Sequence, residues 1–232
     1  MPSATYDAYR GRLETYFDKT AKEAWAQLTS DSPVSKIRET VRAGRDRMRA
    51  LLLSWLPDDL AGLRLLDAGC GTGALAVEAA RRGAHVTAID VSGSLIEIAK
   101  ARAPAFVGGG KIDFRVGDMS DPALGRFEHV VAMDSLIHYP TPEVVAAIVR
   151  LADRTDGSIV FTFAPRTPAL TAMHTVGKVF PRGDRAPAIV PVGEKRLQQQ
   201  LTDMLPAWRL GPTERISSGF YTSQALRLER AT

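Results

Sequence analysis

Short apolar runs alternate with segments of helical periodicity through the middle of the chain. Five apolar runs predict strands, at residues 63–67, 85–90, 112–116, 127–133 and 157–163. Apolar positions at helical spacing lie between them, and this alternation is typical of a parallel sheet with crossover helices. Alternating residues at 208–217 and 219–229 predict a closing antiparallel pair. We therefore predict an α/β fold with a doubly wound, seven-stranded, mostly parallel sheet.

Turn and cap residues mark where the helices of this pattern begin and end. Gly83 is expected at the C′ position of the helix that starts at residue 74. Ser94 and Glu97 have the spacing of a capping box. Thr141, which a proline follows, is expected to cap the next helix.

The pattern predicts one domain over residues 1–232, divided into four parts. These are an N-terminal helical extension (1–60), a cofactor-binding half (61–163), a substrate-covering insertion (164–206) and the C-terminal antiparallel strands (207–232). The extension and the insertion join the sheet near the edge where doubly wound folds bind ligands. Both are therefore candidate lids.

Composition narrows the class of protein. The chain has 232 residues, 45% of them hydrophobic and 24% charged, as in ordinary globular domains. No apolar run approaches the roughly 18 residues of a membrane span, and the first residues lack an apolar signal core, so we expect a cytoplasmic protein. A single cysteine and four scattered histidines predict no metal site.

The net charge of +4 lies largely in residues 36–49. We interpret the arginines there as the solvated face of an amphipathic helix rather than a nucleic-acid site.

The richest motif is the glycine loop DAGCGTG, which begins at Asp67 and lies between a strand and a helix. Glycines in such a loop let a ligand approach the backbone and the unpaired N–H groups of the helix terminus. The loop also satisfies a dinucleotide fingerprint, with Asp90 where a ribose-binding acid is expected, so the glycines alone leave NAD and S-adenosylmethionine open. Asp67 favours the second, because its carboxylate would face the pyrophosphate of NAD but suits an ammonium and a sulfonium.

DAGCGTG followed by VTAID resembles the cofactor signature of class I methyltransferases, over roughly residues 60–163. The resemblance implies S-adenosylmethionine as the methyl donor. It places Asp67, Gly69, Cys70 and Gly71 around the methionine part and Asp90 on the ribose hydroxyls. Asp118 and Met119 would flank the adenine, although a plain turn role for Asp118 stays open.

The stretch DSLIHYP, residues 134–140, puts His138 beyond the carboxyl end of the fourth strand, at the same edge as the glycine loop. With TYFD (15–18), Trp25 and DAGCGTGALA, it is similar to the magnesium-protoporphyrin IX O-methyltransferases of chlorophyll and bacteriochlorophyll synthesis. That resemblance implies Tyr16 and His138 as active-site residues, and Arg38 as a contact of the cofactor carboxylate.

The same resemblance implies methyl transfer to a propionate of magnesium-protoporphyrin IX, which gives a monomethyl ester. A propionate is already ionised at pH 7 and needs no strong base. We therefore expect His138 and Tyr16 chiefly to orient the carboxylate by hydrogen bonding. An apolar lid at residues 168–180, with Leu170, Met173 and Phe180 beside Lys178, would either cover the porphyrin or pack only on the sheet.

Several alternatives stay open from the sequence. A phenol or quinone precursor as acceptor would require His138 to remove a proton. An NAD-dependent oxidoreductase and a non-catalytic RNA-associated protein are further alternatives. The resemblance also leaves open whether a magnesium chelatase subunit hands over the substrate and whether the protein associates peripherally with the photosynthetic membrane.

Overall fold

A single seven-stranded sheet organises the chain, in the order β3-β2-β1-β4-β5-β7-β6. The computed structural model describes residues 3–19, 29, 36–105, 107–167 and 188–231. Its strands are β1 (Arg64–Ala68), β2 (His85–Asp90), β3 (Lys111–Val116), β4 (Phe127–Ala132), β5 (Thr155–Phe163), β6 (Trp208–Ser218) and β7 (Tyr221–Arg230). The first five strands pair in parallel, and β7 pairs antiparallel with both β5 and β6. The predicted fold class is confirmed.

Helices precede the sheet and link its strands. Numbered in chain order, the described helices are α1 (Ala4–Lys19), α2 (Lys36–Ser54), α3 (Ala74–Arg81), α4 (Gly93–Arg102), α5 (Thr141–Ala152) and α6 (Glu194–Met204). Helix α1 and helix α2 belong to the predicted N-terminal extension, and α6 to the predicted insertion. Trp25 and the lid residues Leu170, Met173, Lys178 and Phe180 lie outside the described residues, and the four-part division of the chain stays a prediction.

Neighbouring residues of the central strands face opposite cores, which is why these strands read as unbroken apolar runs. Leu66, Val130 and Ile159 belong to a cluster with residues of α1, α5 and α6. Leu65 and Val160, next to them in the chain, belong to the cluster on the other face with residues of α2 and α3. Side chains alternate between the two faces of a strand, so helices must cover both faces of this sheet.

Two predicted helix caps are wrong, whereas the glycine cap is confirmed. Gly83 follows α3 with φ of 94°, and its N–H donates to the Ala80 carbonyl. Helix α4 is capped by Ser92, whose hydroxyl accepts from the Leu95 N–H, because the Asp90 carboxylate already turns the chain at Ser92. Ser94 lies inside the helix.

At α5 the first turn closes on Pro140 rather than on Thr141. The Pro140 carbonyl accepts from the Glu143 and Val144 N–H groups, so Pro140 is the cap residue and Thr141 is already the first residue of the helix. The sequence suggested Thr141 because threonine is a common cap. In the folded chain the cap is therefore Pro140, the last residue of the DSLIHYP segment, one residue before the predicted cap Thr141.

The glycines before β3 differ in what surrounds them. A Cβ on Gly110 would lie 2.1 Å from the Ala80 carbonyl oxygen, whereas a Cβ on Gly109 would meet no atom within 4 Å. Gly110 therefore lets β3 run against the end of α3. Backbone atoms cannot move aside as a flexible side chain can, so the close approach requires glycine.

We predict that Gly110→Ala lowers the free energy of unfolding by about 1–3 kcal/mol, because the added methyl forces β3 away from α3. Gly109→Ala, one residue away, is the matched control and should change it by less than about 0.5 kcal/mol. Urea denaturation of the two variants and the parent measures both effects. Equal destabilisation by the two substitutions would contradict the packing argument.

Candidate functional site

A cavity of about 280 Å³ opens at the carboxyl ends of the parallel strands. Its walls come from α1, α2, the glycine loop and the chain that follows β2 and β4. This is the edge where doubly wound sheets place their ligands, since the strand order reverses there between β1 and β4. The cavity therefore brings together residues that are distant in sequence.

The glycine loop forms the floor of this cavity. Gly69 and Gly71 have φ of 83° and 55°, in the left-handed region that favours glycine. The N–H groups of Gly69 and Cys70 donate to the Ile89 carbonyl, which ties the loop to β2. Gly73 serves packing, because a Cβ there would lie 2.9 Å from the Phe114 ring.

Two carboxylates face the loop from β1 and β2. Asp67 is 1% exposed, and its Oδ2 has no hydrogen-bond partner among the described residues. Burial, followed by the charge of Asp90, raises the pKa of Asp67 to about 7. Asp90 accepts from the Gly71 and Ser92 N–H groups, yet burial still raises its pKa. Such a pair is stabilised by a cationic ligand.

The thiol of Cys70 also lines the cavity. Burial, with the charges of Asp67 and Asp90 as further causes, raises the pKa of this thiol. The side chain is therefore a neutral wall of the loop and not a thiolate nucleophile. The structure thus places five of the predicted cofactor residues together: Asp67, Gly69, Cys70, Gly71 and Asp90.

The two residues predicted to flank the adenine, Asp118 and Met119, differ in their position relative to the cavity. Met119 lines the cavity, whereas Asp118 does not. Asp118 accepts hydrogen bonds from the Tyr6 hydroxyl at 3.0 Å, from Arg10 at 2.9 Å and from the Ser120 N–H at 2.7 Å. It is therefore both a turn residue and the anchor of α1, and its contact with an adenine stays a prediction.

A carboxylate of α1 itself, Asp18, anchors the C-terminal end of this helix to the start of α4. Asp18 accepts from the hydroxyls of Ser92 and Ser94 at 2.6 and 2.7 Å, and from the Ser94 N–H at 3.1 Å. Although partial burial opposes it, hydrogen bonding from Ser92 and Ser94 lowers the pKa of Asp18. Between these anchors, Tyr6, Leu13 and Phe17 of α1 line the cavity.

Three arginines of α2 line the cavity, and for these three the interpretation as the solvated face of the helix is wrong. Arg42, Arg45 and Arg49 line the cavity. Their spacing of three and four residues puts them on one side of the helix. Arg38 lies on the same side one turn earlier, but it is exposed and is not a cavity residue, and its predicted contact with the cofactor carboxylate stays untested.

Asp134 connects this arginine wall to the end of β4. Its carboxylate lies 2.7 Å from Arg45 and accepts hydrogen bonds from the hydroxyls of Tyr221, Ser223 and Thr162. Asp134 has a φ of 54°, and it is the only non-glycine residue with a positive φ in the described part of the chain. Because a carboxylate with so many donors fixes its own backbone, the network can hold this unusual conformation. No sequence pattern indicated Asp134, Ser135 or Arg45 as residues of the site, because their contacts join distant elements.

His138 reaches the cavity as predicted, and Tyr16 does not line it. The His138 ring lies 6.5 Å from that of Phe17, and its Nδ1 is 3.4 Å from the Ala188 carbonyl oxygen. Tyr16 is half-buried, its ring packs edge-on against Phe17, and burial raises its pKa. Phe17 therefore contacts both predicted active-site residues. It is also the residue of the TYFD motif that lines the cavity.

The comparisons with known proteins agree with this geometry. A family model described as magnesium-protoporphyrin IX methyltransferase C-terminus matches residues 132–230, and one for a methyltransferase domain matches residues 65–155. The chain is 52% identical, over 97% of its length and 98% of the relative, to the magnesium-protoporphyrin O-methyltransferase of Rhodobacter capsulatus. The chain belongs to the magnesium-protoporphyrin O-methyltransferase family.

A solved structure and a second group of relatives complete the comparison. The magnesium protoporphyrin IX methyltransferase of Synechocystis PCC 6803, solved with bound SAH, is 29% identical and superposes with a TM-score of 0.82 over 96% of this chain and 100% of that chain. A ubiquinone biosynthesis O-methyltransferase of Xanthomonas oryzae is 33% identical over 79% of this chain and 77% of its own.

We predict that Asp67→Asn stabilises the ligand-free protein at pH 8. The pKa of Asp67 is raised in the folded state, so ionising this group destabilises the fold as pH rises from about 4 to about 7. Asparagine cannot ionise, and a pKa raised by about three units corresponds to roughly 4 kcal/mol. The melting temperature should therefore rise by roughly 10 °C at pH 8 but not at pH 4. Thermal unfolding across this pH range measures it, and parallel profiles of parent and variant would contradict the raised pKa.

Removing Arg45 should destabilise the fold far more than removing an arginine beside it. Arg45→Met leaves the Asp134 carboxylate without its ionic partner, and we expect a loss of about 3 kcal/mol in the free energy of unfolding. Arg47→Met, at an exposed position of the same helix, should cost less than about 0.5 kcal/mol. Chemical denaturation compares the variants, and similar losses for both would show that the buried pair is not what holds the loop.

Proposed function

We propose that the chain transfers a methyl group from S-adenosylmethionine to a propionate carboxylate of magnesium-protoporphyrin IX, giving the monomethyl ester in bacteriochlorophyll or chlorophyll biosynthesis. The observation that carries it is the meeting, in one cavity, of three features: the glycine loop, the histidine of DSLIHYP, and the Asp67 carboxylate, whose Oδ2 has no hydrogen-bond partner among the described residues. The family to which the chain belongs supports the same acceptor.

The cavity residues fit the cofactor on chemical grounds. The Asp67 Oδ2 atom is buried without a partner among the described residues, and the ammonium of S-adenosylmethionine would supply one. The Asp90 carboxylate is held by the Gly71 and Ser92 N–H groups at the end of β2, a position suited to ribose hydroxyls. The sulfonium of the bound cofactor supplies an activated methyl group, and no cation of the protein is needed to activate it.

The protein's task on the acceptor side is placement. A propionate is ionised at neutral pH, so its oxygen must be desolvated and held in line with the methyl group. His138, which lines the cavity, can donate a hydrogen bond to that carboxylate. Phe17 and Tyr139 supply apolar surface beside it, and a porphyrin is an apolar substrate. Tyr16 is proposed to assist from behind Phe17.

A quinone or phenol precursor is the second candidate acceptor, favoured by the likeness to ubiquinone biosynthesis O-methyltransferases. Purified protein should be incubated with S-adenosylmethionine and either magnesium-protoporphyrin IX or a catechol-type quinone precursor. Mass spectrometry should find one added methylene on the porphyrin. Methylation of the quinone precursor alone would overturn the proposal.

The role of His138 separates the two kinds of acceptor. We expect His138→Gln to lower kcat with the porphyrin by less than the roughly 100- to 10,000-fold that loss of a general base causes, since glutamine can still donate a hydrogen bond. His85→Gln, at the opposite end of β2 from the cavity, is the matched control. Steady-state kinetics measures both. Abolished turnover at every pH would show an obligatory base, and normal kcat with normal KM would remove any direct role.

Two predicted interactions outside the site remain proposals. None of the helices in the described ranges is long and apolar enough to cross a membrane. Peripheral association with the photosynthetic membrane and substrate transfer from a magnesium chelatase subunit would both suit an apolar porphyrin. Co-sedimentation with vesicles and pull-down with the chelatase subunits test them separately.

A further inference from the structure

The hydroxyl of Ser135 is a buried polar group that neither the sequence motifs nor the proposed mechanism uses. Its Oγ is buried without a hydrogen-bond partner in the described part of the chain, and the residue lines the cavity. A hydroxyl removed from water without a partner destabilises the fold. Such a group at the wall of a binding cavity indicates that a ligand atom completes its hydrogen bonding.

The position of Ser135 is fixed against the glycine loop. A Cβ built on Gly69 would lie 2.3 Å from the Ser135 Cβ and 3.0 Å from its Oγ. The first glycine of the loop is therefore required by its contact with Ser135, besides its positive φ. Since Asp67 precedes that glycine by two residues, Ser135 and Asp67 face the same end of the cavity.

The residue before Ser135 holds it in place. Asp134 has a left-handed backbone and is locked by Arg45, Tyr221 and Ser223. Ser135 therefore follows a rigid corner rather than a loose turn. A hydroxyl held in this way is already oriented before a ligand binds, which reduces the entropy that binding must overcome.

Charge decides which ligand group the hydroxyl meets. Asp67 already offers a carboxylate to an ammonium at this end of the cavity. The arginines of α2 do not decide this, because Arg45 is paired with Asp134, and Arg49 with Asp46 and Glu78. Asp67 suits the ammonium of an amino-acid group, and the Ser135 hydroxyl is then the donor for the carboxylate of the same group.

We propose that Ser135 Oγ donates a hydrogen bond to the α-carboxylate of the methionine end of S-adenosylmethionine. Asp67 takes the ammonium of the same group, so the two residues together recognise the amino-acid end as a zwitterion. This inference rests on the proposed function, and it identifies Ser135 as the residue that binds the carboxylate of the cofactor's amino-acid end.

Three ligands separate this role from packing. S-Adenosylmethionine carries the ammonium and the carboxylate, decarboxylated S-adenosylmethionine carries only the ammonium, and 5′-methylthioadenosine carries neither. Calorimetry should show that Ser135→Ala weakens binding of S-adenosylmethionine roughly tenfold or more. Binding of the other two ligands should change by less than about twofold. Ser217→Ala, an exposed serine on β6, is the control and should bind all three as the parent does.

The remaining outcomes each overturn a different statement. Equal weakening of all three ligands by Ser135→Ala would show a packing role. Weakening of both amine-bearing ligands would place the hydroxyl on the ammonium, and unchanged binding of all three would remove the contact. In each of these cases the parent still binds S-adenosylmethionine, so the proposed function survives. Failure of the parent to bind any of the three ligands would overturn the proposed function itself.

Discussion

The ion pair between the partly buried Arg45 and the buried Asp134 carboxylate is the constraint on which the site depends. It joins the N-terminal extension to the end of β4, and the hydroxyls of Tyr221 and Ser223 add β7 to the same carboxylate. Buried charges are costly unless they are paired and hydrogen-bonded, so the elements carrying these groups must meet in one arrangement. That arrangement sets the direction of the chain from Asp134 to His138.

Helix α1 closes the other side of the cavity through a comparable use of carboxylates. Tyr6 and Arg10 bind Asp118, and Asp18 binds the serines at the start of α4. Tyr6 also stacks on Tyr139 of the DSLIHYP segment, with ring centroids 5.1 Å apart. The extension is thus part of the cavity wall, because residues from both of its described helices line the cavity.

Electrostatics divides the cavity into two regions. Asp67 and Asp90 make the glycine-loop side negative and suited to a cationic cofactor, at the expense of the ligand-free protein's stability. On the wall formed by α2, Arg45 is paired with Asp134, and Arg49 with Asp46 and Glu78. The acidic side is therefore the one that a cationic ligand stabilises.

The local pattern of the chain determined the sheet, its seven strands and the glycine loop, because apolar runs and glycine positions act over a few residues. It also placed His138, Asp67 and Asp90 at one edge, since parallel strands end there together. The local pattern did not predict that Ser92 caps α4 and that Pro140 caps α5, because the chain before each helix is positioned by tertiary contacts. Only the tertiary structure decided that Arg45 pairs with Asp134, 89 residues away, and that Gly69 must accommodate Ser135. Such contacts depend on which faces of distant elements meet, and no periodicity within one element encodes that.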